Sequence, residues 1–262
     1  MHALRGKVAV ITGAASGIGL AVADACATEG MTIIRADIEG PLRLDVSDPA
    51  AVEALAAQVF RDHGAVHLLM NNAGVAGATA PSWQLTLEDW QWSLGVNLWG
   101  VIHGIRAFVP RMIASGEPGH VVNTASIMGL ISSGFVTPYC SSKHAVVAIT
   151  EGLEMEFRAL NTDLHASVLC PAAVATRIMD SDRNRPKELA HTGQIVNEEA
   201  EKGIRAAIAA GMAPSEVARQ VLEAIREERF WILPHAETRP ALAARAQAVI
   251  DGRYPFQPKW GK

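Results

Sequence analysis

Val8-Ala9-Val10-Ile11-Thr12-Gly13-Ala14-Ala15-Ser16-Gly17-Ile18-Gly19 runs from an apolar stretch into three glycines spaced Gly-x-x-x-Gly-x-Gly, and Leu20-Ala21-Val22-Ala23-Asp24-Ala25-Cys26 continues it in a helix-like pattern. A strand, a glycine turn and a helix start in that order form a phosphate cradle. The first helical amides and the helix dipole point at an anion, and the glycines let the backbone approach it closely. Taken alone, such a turn is also how a tight strand-to-helix connection is built. The rest of the chain separates the two readings.

Downstream, short β-branched apolar runs alternate with longer helical patterns, which is the signature of a parallel sheet wrapped by helices. Strands are expected near 7–12, 32–37, 42–46, 66–71, 119–125, 165–170 and 230–234, and helices near 17–29, 49–63, 86–115, 138–160, 214–228 and 237–250. Thr86-Leu87-Glu88-Asp89 reads as a capping box with Asp in the place of Glu. Leu87, Trp90, Leu94, Asn97 and Val101 then share one helix face, with Asn97 a polar intruder on it. Only Ile38-Glu39-Gly40-Pro41 joins the second and third strands. A parallel crossover with its own helix needs roughly a dozen residues, so that helix is missing here.

Tyr139-Cys140-Ser141-Ser142-Lys143 sets a phenol and an ammonium four residues apart, on the same face of a helix. At an effective dielectric of ~20, a cation ~5 Å away stabilises a phenolate by ~3 kcal/mol, or ~2 pKa units. The expectation is a Tyr139 hydroxyl lowered toward neutral pH. The same spacing also occurs on ordinary helices, where it means a half-buried Tyr beside a solvated Lys.

With Asn71-Asn72-Ala73-Gly74, Asn97, Ser126 and Tyr139-x-x-x-Lys143 following the glycine turn in order, the chain resembles the short-chain dehydrogenase/reductase family over essentially its whole length, in the ordinary single-domain subtype. The resemblance implies an α/β fold, a Rossmann-type three-layer sandwich with a mostly parallel sheet of about seven strands, and residues 1–262 as a single dinucleotide-binding catalytic domain. It implies a tetrad of Asn97, Ser126, Tyr139 and Lys143. Tyr139 exchanges the proton with the substrate oxygen, Ser126 bonds that oxygen, and Lys143 holds the nicotinamide ribose. Asn97 offers a backbone carbonyl to a water that links the Lys to solvent. The cofactor-binding set is Gly13, Ser16, Gly17, Ile18 and Gly19 in the turn, Asp37 at the second strand's end, and Asp45 and Val46 beside the adenine. Asn72, Ala73, Gly74, Tyr139, Lys143, Pro171, Val174 and Thr176 complete it. Ala172 stands where the family typically has Gly, and is compatible if its φ is negative. The segment 177–212 covers the substrate, with a helix expected over 198–210; a packed surface excursion or subunit contact is the alternative. The family associates through its two long central helices, so a homotetramer or homodimer is expected.

Asp37 places a carboxylate at the ribose diol, where a 2′-phosphate ~4 Å away would meet a repulsion of ~4 kcal/mol per unit charge. NAD is therefore the expected cofactor, in line with Ser16 and Ile38 where NADP-using relatives often carry a base. Arg35 and Arg43 are nearby cations that keep an NADPH-preferring ketone reductase as the alternative. A non-catalytic NAD-binding sensor or scaffold is the reading from another class. The intact Ser126 and Tyr139 hydroxyls argue against it, because a pure binder has no use for them.

At 262 residues and 27.9 kDa, with 49% apolar content, the chain is long enough for one large domain. A net charge of −4 gives no footprint for nucleic acid or an anionic membrane. No apolar run reaches the ~20 residues of a membrane helix. With no room for a leader before the first strand, the reading is a soluble, cytoplasmic protein. Cys26, Cys140 and Cys170 have no metal or redox spacing, and the histidines show no ligand cluster, so no metal is expected. Trp83, Trp92, Trp99 and the methionines of 177–212 are candidates to line a bulky apolar pocket, although Trp at such positions serves as readily in core or interface. Phe108-Val109-Pro110-Arg111-Met112-Ile113-Ala114-Ser115-Gly116 and Val196-Asn197-Glu198-Glu199 are similar, more loosely, to dehydrogenases that oxidise benzylic alcohols of lignin-derived aryl ethers.

Overall fold

The computed structural model describes residues 3–190 and 198–253. Its strands are β1 (Val8–Thr12), β2 (Thr32–Asp37), β3 (Leu42–Arg43), β4 (Leu68–Asn71), β5 (Gly119–Thr124), β6 (Leu164–Leu169) and β7 (Trp231–Ile232). They form one sheet in the order β3-β2-β1-β4-β5-β6-β7, with every neighbouring pair parallel. The sheet expected to be mostly parallel is wholly so. The chain leaves β1 in one direction for β2 and β3, then returns to β4 on the other side. The crevice at the carboxyl ends of β1 and β4 is therefore the switch point where ligands bind in such sheets.

Alternation along the strands divides the core between two faces. Ala9, Ile11, Leu68 and Met70 pack with helices α1 (Gly17–Thr28) and, later in the chain, Pro214–Glu227. Val8, Val10, Leu69 and Val121 pack on the opposite face under α2 (Pro49–His63) and under the long helices Gly100–Ser115 and Thr137–Ala159. Strands buried on both faces read as continuous apolar runs, which is why they were visible in the sequence. Helix α2 starts where Asp48 accepts from the Ala50 and Ala51 amides with Pro49 in the first turn, and it stops at Gly64, whose φ is 77°.

The single helix expected over 86–115 is three pieces: α3 (Leu87–Leu94), a π-helical turn Gly95–Trp99, and α4 (Gly100–Ser115). The capping box is present in full, with Thr86 accepting from the Asp89 amide and the Asp89 carboxylate from the Thr86 amide. The wider turn that follows rotates the helix face and buries Asn97 completely. The third strand is shorter than 42–46, pairing only Ala36 with Leu42 and Asp37 with Arg43. Asp45 lies outside it because its carboxylate accepts from the Ser47 amide and hydroxyl, turning the chain toward α2. Similarly, β4 and β7 are shorter than the 66–71 and 230–234 expected. The link 38–41 holds no helix.

After α5 (Thr137–Ala159) and β6, two 3-10 turns, Ile178–Asn184 and Lys187–Leu189, precede α6 (Glu198–Ala209), α7 (Pro214–Glu227) and α8 (Arg239–Ile250). Of the segment similar to benzylic-alcohol dehydrogenases, Val196 and Asn197 lie outside the described residues. Among the described residues no helix is long and apolar enough to cross a membrane, and no His/Cys/Asp/Glu group is placed to hold a metal ion.

Candidate active site

At the carboxyl end of β1 the glycine turn folds back under the loop after β4. Gly13 takes φ 67°, and a Cβ there would stand 2.8 Å from the Ala73 Cα. A Cβ on Gly19 would stand 2.2 Å from the Gly13 carbonyl oxygen, so α1 lies against the turn only because residue 19 has no side chain. Asn72 stitches three strand ends together. Its Nδ2 donates to the carbonyls of Thr12 at 3.1 Å and Gly13 at 3.3 Å, and its Oδ1 accepts from Thr124 Oγ1 at 3.3 Å. The Thr12 hydroxyl accepts from the amides of Asn72 and Ala73 at 2.9 and 3.1 Å.

These strand ends border a cavity of about 480 Å³. Ser16, Gly17 and Ile18 line it, and Ser16, at the N-cap of α1, makes no side-chain cap while the first turn carries no acidic residue. The first amides of α1 are thus left for an anion in the cavity, which suits the pyrophosphate of a dinucleotide. Asp37 faces the same cavity. Its two carboxylate oxygens accept from the amides of Ala15 and Glu39, both at 2.9 Å, and keep further lone pairs for a ribose diol. Three nearby cations are engaged elsewhere: Arg35 pairs with Asp24 at 2.7 Å, and Arg183 and Arg177 pair with Glu39 at 2.8 and 3.4 Å, whereas Arg43, beside Asp37 in register, is exposed. The Arg183 hydrogen bond holds the Glu39 carboxyl below the usual carboxylate range.

Asp45, Val46, Ala73, Gly74, Pro171, Val174 and Thr176 line the cavity as expected, together with Ser126, Tyr139 and Lys143. Gly19 and Asn97 do not. Gly19 works behind the turn, and Asn97 works from beneath. The Asn97 Oδ1 accepts from the Val75 amide at 2.8 Å, while its Nδ2 donates to the Val75 carbonyl at 3.0 Å and to Ser142 Oγ at 3.3 Å. A Cβ on Gly74 would lie 3.3 Å from Asn97 Oδ1 and 3.6 Å from Lys143 Nζ, so Asn97 and Lys143 meet at that glycine. Trp92 lines the cavity, but Trp83 and Trp99 do not and are 85% and 52% exposed, correcting their candidacy.

The Ser126 hydroxyl donates to the Pro171 carbonyl at 3.4 Å and accepts from the Met128 amide at 3.1 Å, and it stands near enough to the Tyr139 phenol to favour its ionised form. Lys143 Nζ donates to the Thr124 carbonyl at 2.8 Å and lies 5.7 Å from the Tyr139 ring centroid. The expected lowering of the phenol is not what this arrangement produces. Tyr139 keeps some exposed surface on the cavity side, yet its surroundings are water-poor, and burial pushes the phenol up to about 12 against the opposing Ser126 hydroxyl. Burial likewise pushes the Lys143 ammonium down to about 8. Desolvation sets both shifts, because both charged forms lose water here.

Two positioning contacts carry no local sequence signal. His235, buried after β7, accepts from the Ala172 amide through Nδ1 at 3.1 Å, so its Nε2 donates to the Ala173 carbonyl at 2.9 Å. Met212 exchanges backbone bonds with Ala173 and Ala175 at 3.0 and 2.9 Å. Together they hold the stretch from Pro171 to Thr176 against the cavity. Ala172 has no positive φ, so it replaces a glycine there without strain. Cys140 is a buried free thiol packed against Met128 and Ser133, and Cys26 and Cys170 are also free and buried.

Comparison with known proteins agrees with this geometry. A family model described as short chain dehydrogenase matches residues 7–187. A C alpha-dehydrogenase of Sphingobium sp. is 30% identical, covering 98% of this chain and 90% of its own. A 1-deoxy-11-beta-hydroxypentalenate dehydrogenase of Streptomyces avermitilis is 32% identical, covering 92% and 89%. The crystal structure of a short chain dehydrogenase/reductase from Burkholderia phymatum in complex with NAD superposes with a TM-score of 0.95 at 39% identity, over 98% of this chain and 99% of that one. The chain belongs to the short-chain dehydrogenase/reductase family, oxidoreductases that act on CH–OH groups with a nicotinamide cofactor.

Proposed function

We propose that this protein is an NAD-dependent dehydrogenase that interconverts a bulky, uncharged secondary alcohol and its ketone. The observation that carries the proposal is that Ser126, Tyr139 and Lys143, with Lys143 Nζ 5.7 Å from the Tyr139 ring centroid, wall the same cavity as Asp37 and the uncapped start of α1. Bound nicotinamide supplies the hydride acceptor or donor. The residues of this chain do the rest. Ser126 holds the substrate oxygen, Tyr139 takes its proton in oxidation and returns it in reduction, and Lys143 binds the nicotinamide ribose and shares the proton with Tyr139. Asn97 fixes the Gly74–Val75 backbone beneath Lys143.

The preference for NAD rests on Asp37 and on the engagement of Arg35, Arg177 and Arg183 by carboxylates, which leaves a 2′-phosphate facing a negative group. The substrate class rests on Trp92, Met128, Val136, Leu189, Ile204 and Ile208, which line the cavity away from the adenosine end. The charged side chains near them are engaged, Arg183 with Glu39, Arg185 with Asp89 and Lys143 with the Thr124 carbonyl. The test is NADH formation over a panel of aryl, alicyclic and short aliphatic secondary alcohols, with carboxylate-bearing analogues of each. The proposal expects turnover of bulky neutral alcohols with NAD; equal or better use of NADP, or a preference for the carboxylates, would overturn it.

A further inference from the structure

Arg185 sits between two cavity-lining residues, Asn184 and Pro186, but is itself turned into the protein. Its side chain is 5% exposed and stands 2.8 Å from the carboxylate of Asp89, whose side chain is fully buried. The contact is an ion pair off the hydrogen-bonding axis, and neither terminal nitrogen has an aligned partner among the described residues. What else holds the guanidinium is the face of Trp92, 5.0 Å from ring centroid to carbon, and the Leu189 carbonyl, to which Nε donates. Charge pairing and cation–π attraction both strengthen as water is removed, and a planar guanidinium serves both at once where an ammonium does not.

The partners matter as much as the cation. Asp89 is also the carboxylate of the capping box, accepting from the Thr86 amide at 3.0 Å, so the group that starts α3 is the group that receives Arg185. Trp92 lies one turn further along α3, with the cavity against it as well. On the side of the cover, the turn Lys187–Leu189 packs on α3, and Pro186 and Leu189 line the cavity. The other ties of the cover are of a different kind, among them the Ala76 amide donating to the buried Ser181 hydroxyl at 3.1 Å. Arg183–Glu39 is solvent-exposed and therefore weak. Arg205 of α6 reaches Asp180 and the Met179 carbonyl, both within the cover itself.

We propose that Arg185 is a positioning residue that sets the size of the substrate end of the cleft, by pinning 183–190 to α3 as a fixed wall so that Trp92, Pro186 and Leu189 face the bulky substituent at a set separation. It rests on the reading above that this end takes a bulky neutral alcohol. The cover is then two parts: a fixed wall up to Leu189, and α6 beyond it.

The test uses the full-length protein and three variants: Arg185→Met, Arg185→Lys, and Arg185→Met with Asp89→Asn. The double variant removes both charges, while Asn still accepts from the Thr86 amide. We expect it to melt within about 3 °C of the parent. Its KM for benzhydrol should rise at least about tenfold while kcat and the KM for isopropanol move less than about twofold, a split that general destabilisation does not produce. Amide hydrogen exchange over 183–190, read without any substrate, should lose its protection. An unchanged benzhydrol-to-isopropanol KM ratio, or unchanged protection, would overturn the proposal. Arg185→Lys keeps the charge and decides the matter if the neutral variants do not fold: a rise of about threefold or more in the same ratio supports positioning by the planar group, and parental values overturn it. Absence of turnover by the NAD-saturated parent on every alcohol would instead remove the substrate reading, and the exchange measurement would still judge the anchor.

Discussion

At Tyr139 and Lys143, burial drives both groups toward their neutral forms. With the phenol near 12 and the ammonium near 8, the first proton lost as pH rises comes from Lys143, leaving an amine that can take up a proton relayed through Tyr139. Oxidation needs the form that has lost that proton, and that form grows as pH rises. We therefore expect the oxidation rate to climb with unit slope to about pH 8 and then level, and Lys143→Met to move the climb above about pH 10, checked by pH–rate profiles with NAD saturating. Tyr139→Phe should lose about 10³-fold in turnover, within the range typical of acid–base groups, while binding NAD within about twofold. A Phe variant that oxidises near the parental rate would remove Tyr139 as the proton carrier. Asp37→Ala should narrow an NAD preference of at least about tenfold, measured as the ratio of kcat/KM values for the two cofactors. The Tyr, the Lys and the Asp were all legible as residues. The sign of the phenol's shift was not, because a four-residue spacing reports proximity and says nothing of how much water surrounds the pair.

Helix α5 carries a cost that its sequence does not show. Lys143 is 3% exposed, with its folded-state value pushed from 10.5 to about 8. Below pH 8 the ammonium is charged in both states and its desolvation weighs fully on the fold. Between about 8 and 10.5 the unfolded chain holds the extra proton, so stability rises with pH, by at most about 1.4 kcal/mol per unit. Thermal melts should accordingly show the parent gaining on Lys143→Met across that window, whatever the gap at pH 7. In the cover, excising all of 180–210 would take the Arg185 cation away from the buried Asp89 carboxylate at the start of α3. Replacing only 198–209 with a short Gly/Ser link is the cleaner cut. We expect NAD affinity to stay within about twofold and kcat/KM for bulky alcohols to fall at least about tenfold, whereas unchanged kinetics would assign α6 a structural role. The capping box at Thr86 was readable four residues at a time. The π-helical turn after it was not, since nothing in Gly95-Val96-Asn97-Leu98-Trp99 announces an extra residue per turn.

Over the whole molecule, exposed apolar side chains gather on the elements expected to associate: Trp99 in the π-helical turn, Ile113 on α4 and Met155 on α5, at 52%, 43% and 69% exposure. A second copy of the chain covering them would remove that surface from water. Light scattering should give a particle of at least twice 27.9 kDa, and Met155→Asp should shift it toward the monomer; a particle of only 27.9 kDa for the parent contradicts the proposed assembly. The family resemblance named the residues gathered at the cleft; local pattern alone determined the strand–turn–helix of the glycine motif, the parallel sheet implied by alternating runs, and the missing helix between β2 and β3. Those are properties of neighbours in sequence: a period, a spacing, or a connection too short to hold a helix. The tertiary structure decided which of the named residues touch the cavity, with Asn97 and Gly19 behind it and Trp83 and Trp99 turned outward. It alone showed His235 gripping the loop at Ala172, Glu39 engaging Arg177 and Arg183, and Arg185 buried on Asp89. The physical reason is common to all three: each joins residues far apart in the chain, and burial, which sets their strength and their protonation, exists only once those distant segments have packed together.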